Sequence, residues 1–132
     1  MNMNEDKQGT ALPERKTRSY ASQYLKLGNT PWAGHLIRIA PPNTHKRKIM
    51  VKAKDLYQML EPFVGFEDWC AWYIEDTPLR INIDYFYTTN HSAIILSISA
   101  VQAVLVMNDT DRSWLLFNAL SDLINNGFST NT

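Results

Sequence analysis

Apolar positions concentrate between residues 48 and 120, and their period changes from one segment to the next. In Phe66-Glu-Asp-Trp-Cys-Ala-Trp-Tyr-Ile-Glu75 the residues Phe66, Trp69, Cys70, Tyr73 and Ile74 recur at i, i+3, i+4, i+7 and i+8. That spacing puts them on one face of a helix over 66–76, halted ahead of Pro78. Downstream, Ile81, Ile83, Tyr85 and Tyr87 alternate with Arg80, Asn82, Asp84 and Phe86, the period of a half-buried strand over 81–87. A polar turn, Thr88-Thr-Asn-His-Ser92, leads from it into Ala93-Ile-Ile-Leu-Ser97 as a hairpin.

The same reading applied upstream yields another hairpin. His35-Leu-Ile-Arg-Ile-Ala40 and Lys48-Ile-Met-Val51 read as paired strands around Pro41-Pro-Asn-Thr-His-Lys-Arg47, with Lys46, Arg47 and Lys48 at the tip. A helix over 53–60 follows, with Leu56, Met59 and Leu60 inward and Pro62 beyond its end. After the second hairpin Ser99 is the expected cap of a helix, with Gln102 at capping-box spacing and Val101, Val104, Leu105 and Met107 apolar. Asn108-Asp-Thr-Asp breaks that helix, and Thr110 or Asp111 caps the last one, whose stripe is Leu116, Phe117, Leu120, Leu123 and Ile124, with Asn126-Gly127 as exit. Hairpin, two helices, hairpin, two helices is an α+β order: one small domain of two β-hairpins and about four helices.

Composition sets the limits of that domain. With 132 residues, 45% of them hydrophobic, the chain supports one core. Residues 1–30 read as a flexible basic N-terminal tail, 31–127 as the folded domain and 128–132 as a C-terminal tail. Within the first tail Tyr20, Tyr24, Leu25 and Leu27 have the spacing of a short docking helix. The most apolar run, Ala93 to Met107, is shorter than the roughly 20 residues that span a bilayer, and Met1 to Lys7 has no apolar signal core, so a cytoplasmic protein is expected. Cys70 on the apolar stripe reads as a small buried hydrophobe, and the Asn-x-Ser/Thr triplets at Asn90 and Asn108 as chance matches.

A net charge of zero conceals a polarity. Residues 1–54 carry eleven Lys and Arg against three Asp and Glu, whereas residues 55–132 carry two against ten. Such a split points to an electrostatic partner, to folding of one part on the other, or to copies associating head to tail.

Catalytic constellations are missing, so no enzyme is expected. His35, His45 and His91 lie on a strand start and two turns without metal-ligand spacing to other donors, and phosphate-loop, dinucleotide and nucleophile-elbow motifs do not occur. Glu67 and Asp68 sit where a helix start favours negative charge in any case. No cofactor or metal is expected. At about 100° per residue Trp72 falls on the flank of the Trp69/Tyr73 stripe, toward Asp68, Glu75 and Asp76. A large aromatic among acids at the edge of a core face suits protein binding, unless the tail or another helix covers it. The rival surface is basic: Arg38, Lys46, Arg47, Lys48, Lys52 and Lys54 on the first hairpin and helix are the candidates for contacting nucleic-acid phosphates, although a basic turn is also simply soluble.

These segments also carry a resemblance. Val51-Lys-Ala-Lys-Asp-Leu-Tyr-Gln-Met-Leu60, Gly65-Phe-Glu-Asp-Trp69 and Asn82-Ile-Asp-Tyr-Phe86 resemble, in order and spacing, the first helix, the F..W helix and the DY strand of AntA/AntB phage antirepressor domains. Ala93 to Met107 and Asp109-Thr-Asp-Arg112 stand where that family has its second strand, a helix and the final turn, so the similarity covers about residues 36–120. The resemblance implies a fold related to the Bro and KilA amino-terminal domains. It also implies a phage or prophage regulatory protein, in the cytoplasm of a bacterial host, that binds a phage or host repressor and relieves repression. Some relatives are thought to bind DNA. This chain departs from the family where Cys70-Ala-Trp-Tyr-Ile-Glu-Asp76 replaces a basic run and Trp114-Leu-Leu-Phe-Asn-Ala-Leu-Ser-Asp122 replaces a basic last helix, which favours protein over DNA as partner. A homo-oligomer is a further expectation, and no membrane partner is.

Overall fold

The computed structural model describes residues 23–88 and 92–127. The basic cluster at residues 14–18, Tyr20, Asn90, His91 and the C-terminal tail lie outside them. Four strands, β1 (Ile37–Ile39), β2 (Lys48–Lys52), β3 (Tyr85–Tyr87) and β4 (Ile94–Ser97), form one antiparallel sheet in the order β1-β2-β4-β3. Each expected hairpin is therefore present, and the two join along β2 and β4, with Val51 opposite Leu96. The chain is an α+β domain. Among the described residues four helical segments accompany the sheet: α1 (Ala53–Leu60), α2 (Phe66–Cys70) running into a π turn (Ala71–Glu75), α3 (Ile98–Asn108) and α4 (Asp111–Asn125).

Cross-strand register sorts the side chains into two layers. Val51, Leu96 and Tyr85 line up on the helix-covered face, and with Leu56, Trp69, Ile74, Val104, Leu105, Leu116 and Leu120 they make the main core. The alternate residues Ile37, Met50, Ile95 and Phe86 form a second buried cluster, with Tyr24 and Ile39 packed against it. Apolar side chains therefore occupy much of both faces, and Arg38, Lys48, Lys52 and Ser97 are the charged and serine positions left at the ends and edge of the sheet.

Three local readings are corrected. The strand expected over 81–87 is a strand only from Tyr85. Ahead of it the Arg80 carbonyl accepts from the amides of Ile83, Asp84 and Tyr85, and the Asp84 carboxylate accepts from the Arg80 amide at 2.8 Å. This closes a turn that leaves Ile81 and Ile83 about half exposed. The α3 cap is Ser97, not Ser99: its Oγ accepts from the Ala100 amide at 3.2 Å, because β4 runs into the helix without a linker. Near the start, within the short helix expected from Tyr20 to Leu27, Gln23 is helical but the chain is extended from Tyr24 on: Tyr24 bridges Ile37 in antiparallel fashion and the Leu25 amide donates to Leu36 O at 3.0 Å. Leu25, assigned to the tail, is buried, and Trp32 is fully enclosed with its indole N–H donating to Leu116 O at 3.0 Å.

The remaining elements follow the sequence closely. Leu56, Met59 and Leu60 are buried on α1, Trp69, Cys70 and Ile74 on α2 and its π turn, and Leu116 and Leu120 on α4. Thr110 caps α4 with a reciprocal box in which Ser113, fully buried, takes the partner role.

Candidate functional site

Two helices end alike, and both endings shape one cleft. α1 stops at Glu61 and α3 at Asp109, each in the left-handed region with φ of 52° and 51°. Their amides return to Tyr57 O and Leu105 O, which closes the helix ends without glycine. Leu60 to Val64 then forms one wall and Asn108, Thr110 and Arg112 the other, while Trp69, Trp72 and Tyr73 of α2 complete a cleft of about 450 Å³. Tyr57 Oη donates to Val64 O at 2.7 Å and fixes the first wall. Arg112 ties the walls together, donating from Nε to Met59 O at 2.6 Å and placing Nη2 3.8 Å from Glu61 Oε2.

The rings around this cleft are unevenly covered. Trp69 is buried within an aromatic cluster, its centroid 5.6 Å from Tyr57, 6.0 Å from Tyr73 and 6.3 Å from Phe66. Among the described residues its indole N–H has no hydrogen-bond partner. Trp72 is 55% exposed and Phe63 fully so. Two large open rings at one cleft form the kind of apolar patch that marks a contact surface on a small domain.

The four residues proposed for protein binding do not all gather there. Trp72 lines the cleft, and Asp68, one turn earlier on the same helix, is exposed beside it. Glu75 faces elsewhere: it accepts a hydrogen bond from the Tyr87 hydroxyl and lines a separate pocket of about 210 Å³ with Phe66, Cys70 and Ile94. The cause is the π turn. The Asp76 amide donates to Ala71 O at 2.8 Å, five residues back, so successive side chains rotate by less than the roughly 100° of an α-helix. Asp76 is exposed at the end of that turn. The acid that lines the Trp72 cleft is Glu61, which sequence spacing does not connect to Trp72, and Phe63 was equally missed. Its signal was the apolar triplet Pro62-Phe-Val64 in a loop between two helices.

The second pocket shows how burial and charge act on its groups. Desolvation, then the Glu75 charge, pushes the Cys70 thiol up to about 11, with Lys54 opposing. The hydrogen bond to Glu75 holds the Tyr87 hydroxyl above the usual tyrosine range, and burial adds to it. Tyr85 is raised by burial first and the same carboxylate second.

The six basic candidates are also divided. Lys46, Arg47 and Lys48 are exposed at the hairpin tip, where Arg47 Nη2 donates to Arg38 O at 2.8 Å. Lys52 lies at the far end of β2, roughly 13 Å away at strand rise, with its ammonium 5.9 Å from the Tyr24 centroid. Lys54, on α1, sits 4.5 Å over Phe66. Arg38 pairs opposite Ile49 and so leaves the sheet on the other side from Lys48 and Lys52. One continuous cationic face is not formed.

Among the described residues no group of three or more His, Cys, Asp and Glu could hold a metal ion, and no helix is long and apolar enough to cross a membrane. His35 Nδ1 lies 3.1 Å from Asp55 Oδ2, a contact that joins the start of β1 to the first turn of α1. The chain matches no protein-family model, no curated protein and no solved structure.

Proposed function

We propose that this chain is a non-catalytic regulatory protein of the antirepressor type, which docks on a transcriptional repressor through the Phe63–Trp72 cleft. The observation that carries the reading is the exposure of Trp72, over half its surface, beside the fully exposed Phe63. Large rings of this kind supply most of the buried area at a protein contact, and the charges around them orient the partner. Here Glu61, which Arg112 contacts within the cleft, and the exposed Asp68 beside it supply acidic groups, and a repressor's DNA-reading surface is basic. A protein that binds only the DNA-free repressor draws it from its operator by mass action. The resemblance to antirepressor domains read from the sequence over about residues 36–120 is the expectation that this reading carries forward.

The test is a reporter placed behind a resident repressor's operator in a lysogenic host. Expression of the chain raises the reporter; the Phe63→Ala, Trp72→Ala double variant, checked for native folding, does not. A reporter unmoved by the wild-type chain, or raised equally by the variant, overturns the assignment.

Lys46 and Lys48, exposed and without an ion pair among the described residues, favour a second reading in which the hairpin tip contacts DNA phosphates. That reading requires affinity for operator DNA to fall with salt by nearly one logarithmic unit per logarithmic unit for each phosphate contacted.

A further inference from the structure

The exposed rings, the acids around them and the basic hairpin tip belong to one chain, and their chemistries match. Residues 23–54 carry seven Lys and Arg and no Asp or Glu, while residues 55–127 carry ten acids and two cations. Both of those cations are engaged, Arg80 with Asp84 and Arg112 with Glu61 and Met59 O. Asp68, Asp76 and Asp111 make no ion pair among the described residues, and neither do Lys46 and Lys48. Nothing from the hairpin lines the cleft of its own chain.

We infer that the cleft of one copy receives the β1–β2 hairpin tip of a second copy. Lysine stems lie against the rings of Phe63 and Trp72, and the ammonium groups reach Asp68 and share the Glu61 carboxylate with Arg112. The chain already uses this pairing internally, where Lys54 stands 4.5 Å over Phe66 and Lys52 covers Tyr24. A cation over an aromatic face is attracted by the ring's quadrupole, more strongly as water is excluded, and the aliphatic stem covers apolar area as well. Because tip and cleft are different surfaces, the contact is heterologous: each copy offers one of each, and copies add head to tail into rings or open chains. The inference shares the cleft of the proposed function, and a repressor and a second copy then compete for it.

The experiment is sedimentation velocity on the full chain across protein and salt concentrations. It uses wild type, a cleft variant (Phe63→Ala, Trp72→Ala), a tip variant (Lys46→Glu, Arg47→Glu, Lys48→Glu) and an equimolar mixture of the two variants. All of the replaced residues are exposed, and circular dichroism confirms that each variant is folded. Wild-type apparent mass at least doubles with concentration at low ionic strength and returns to the monomer as salt screens the contact. Each variant alone stays monomeric. The mixture forms a dimer and nothing larger, because the intact tip of one variant meets the intact cleft of the other and the remaining ends are disabled. A monomeric wild type, self-association of either variant, or a mixture that stays monomeric overturns the inference. A monomeric wild type that still derepresses the reporter through Phe63 and Trp72 would remove self-association and leave the repressor reading standing.

Discussion

Cys70 shows how one position is read twice, once by its neighbours in sequence and once by its neighbours in space. Its place on the apolar stripe announces burial, and it is 5% exposed. What the stripe does not announce is Glu75, brought to the same pocket by the π turn, which adds to desolvation in holding the thiol protonated up to about 11. The folded chain therefore binds a proton that the unfolded chain, whose thiol titrates near its ordinary value of 9.0, has released over the interval between the two. The thiol's contribution to stability is constant below pH 9 and is lost as pH rises toward 11. Since the thiolate is the nucleophile, alkylation of the native protein by iodoacetamide at pH 8 should run far slower than in denaturant, and should accelerate only toward pH 11. Native and denatured rates that coincide at pH 8 would show that the thiol is not held in this way.

At the scale of the element, most strands and helices formed where the period said they would, and the departures, among them residues 81–84, cluster at their ends. The period of Phe66 to Ile74 fixes which residues enter the core, but the widened turn at Ala71–Glu75 alters where the outward ones point, which moves Glu75 away from Trp72. Ends are settled by hydrogen bonds to carbonyls and side chains that periodicity does not see, as at Ser97 and in the Arg80–Asp84 turn. Glu61 is the clearest case, a glutamate in the left-handed conformation that closes α1. A Cβ there costs roughly 1 kcal/mol, so Glu61→Gly should stabilise the fold by about that much, because the exposed pair with Arg112 contributes little. Urea unfolding measures it. A loss of stability would mean that Glu61 holds Arg112 and the cleft wall more firmly than an exposed pair normally does.

For the whole molecule, the joining of two hairpins along β2 and β4 matters most. It places Leu96 at the centre of the sheet, fully buried between Val51 and Tyr85, while Ile83, which the alternation over 81–87 reads as an inward strand residue, is half exposed. Leu96→Ala should therefore cost about 2–5 kcal/mol, and Ile83→Ala should fall within about 0.5 kcal/mol of wild type. Equal losses from the two substitutions in a denaturant titration would contradict this difference in burial. The same assembly separates the cations of the first hairpin into two sheet faces and a helix, which is why six basic residues close in sequence do not make one surface.

By itself the sequence determined the α+β order of elements, the inward faces of the helices, the burial of Cys70 and the division of charge between the two parts of the chain. These follow from spacing and composition, which act between residues near one another along the backbone. Only the tertiary structure decided that each face of the sheet carries a buried apolar cluster, that Trp32 reaches Leu116, and that Phe63, Glu61 and Arg112 surround Trp72. These contacts join residues from separate elements, and their geometry depends on how helix ends turn and sheets pair, which no local period encodes.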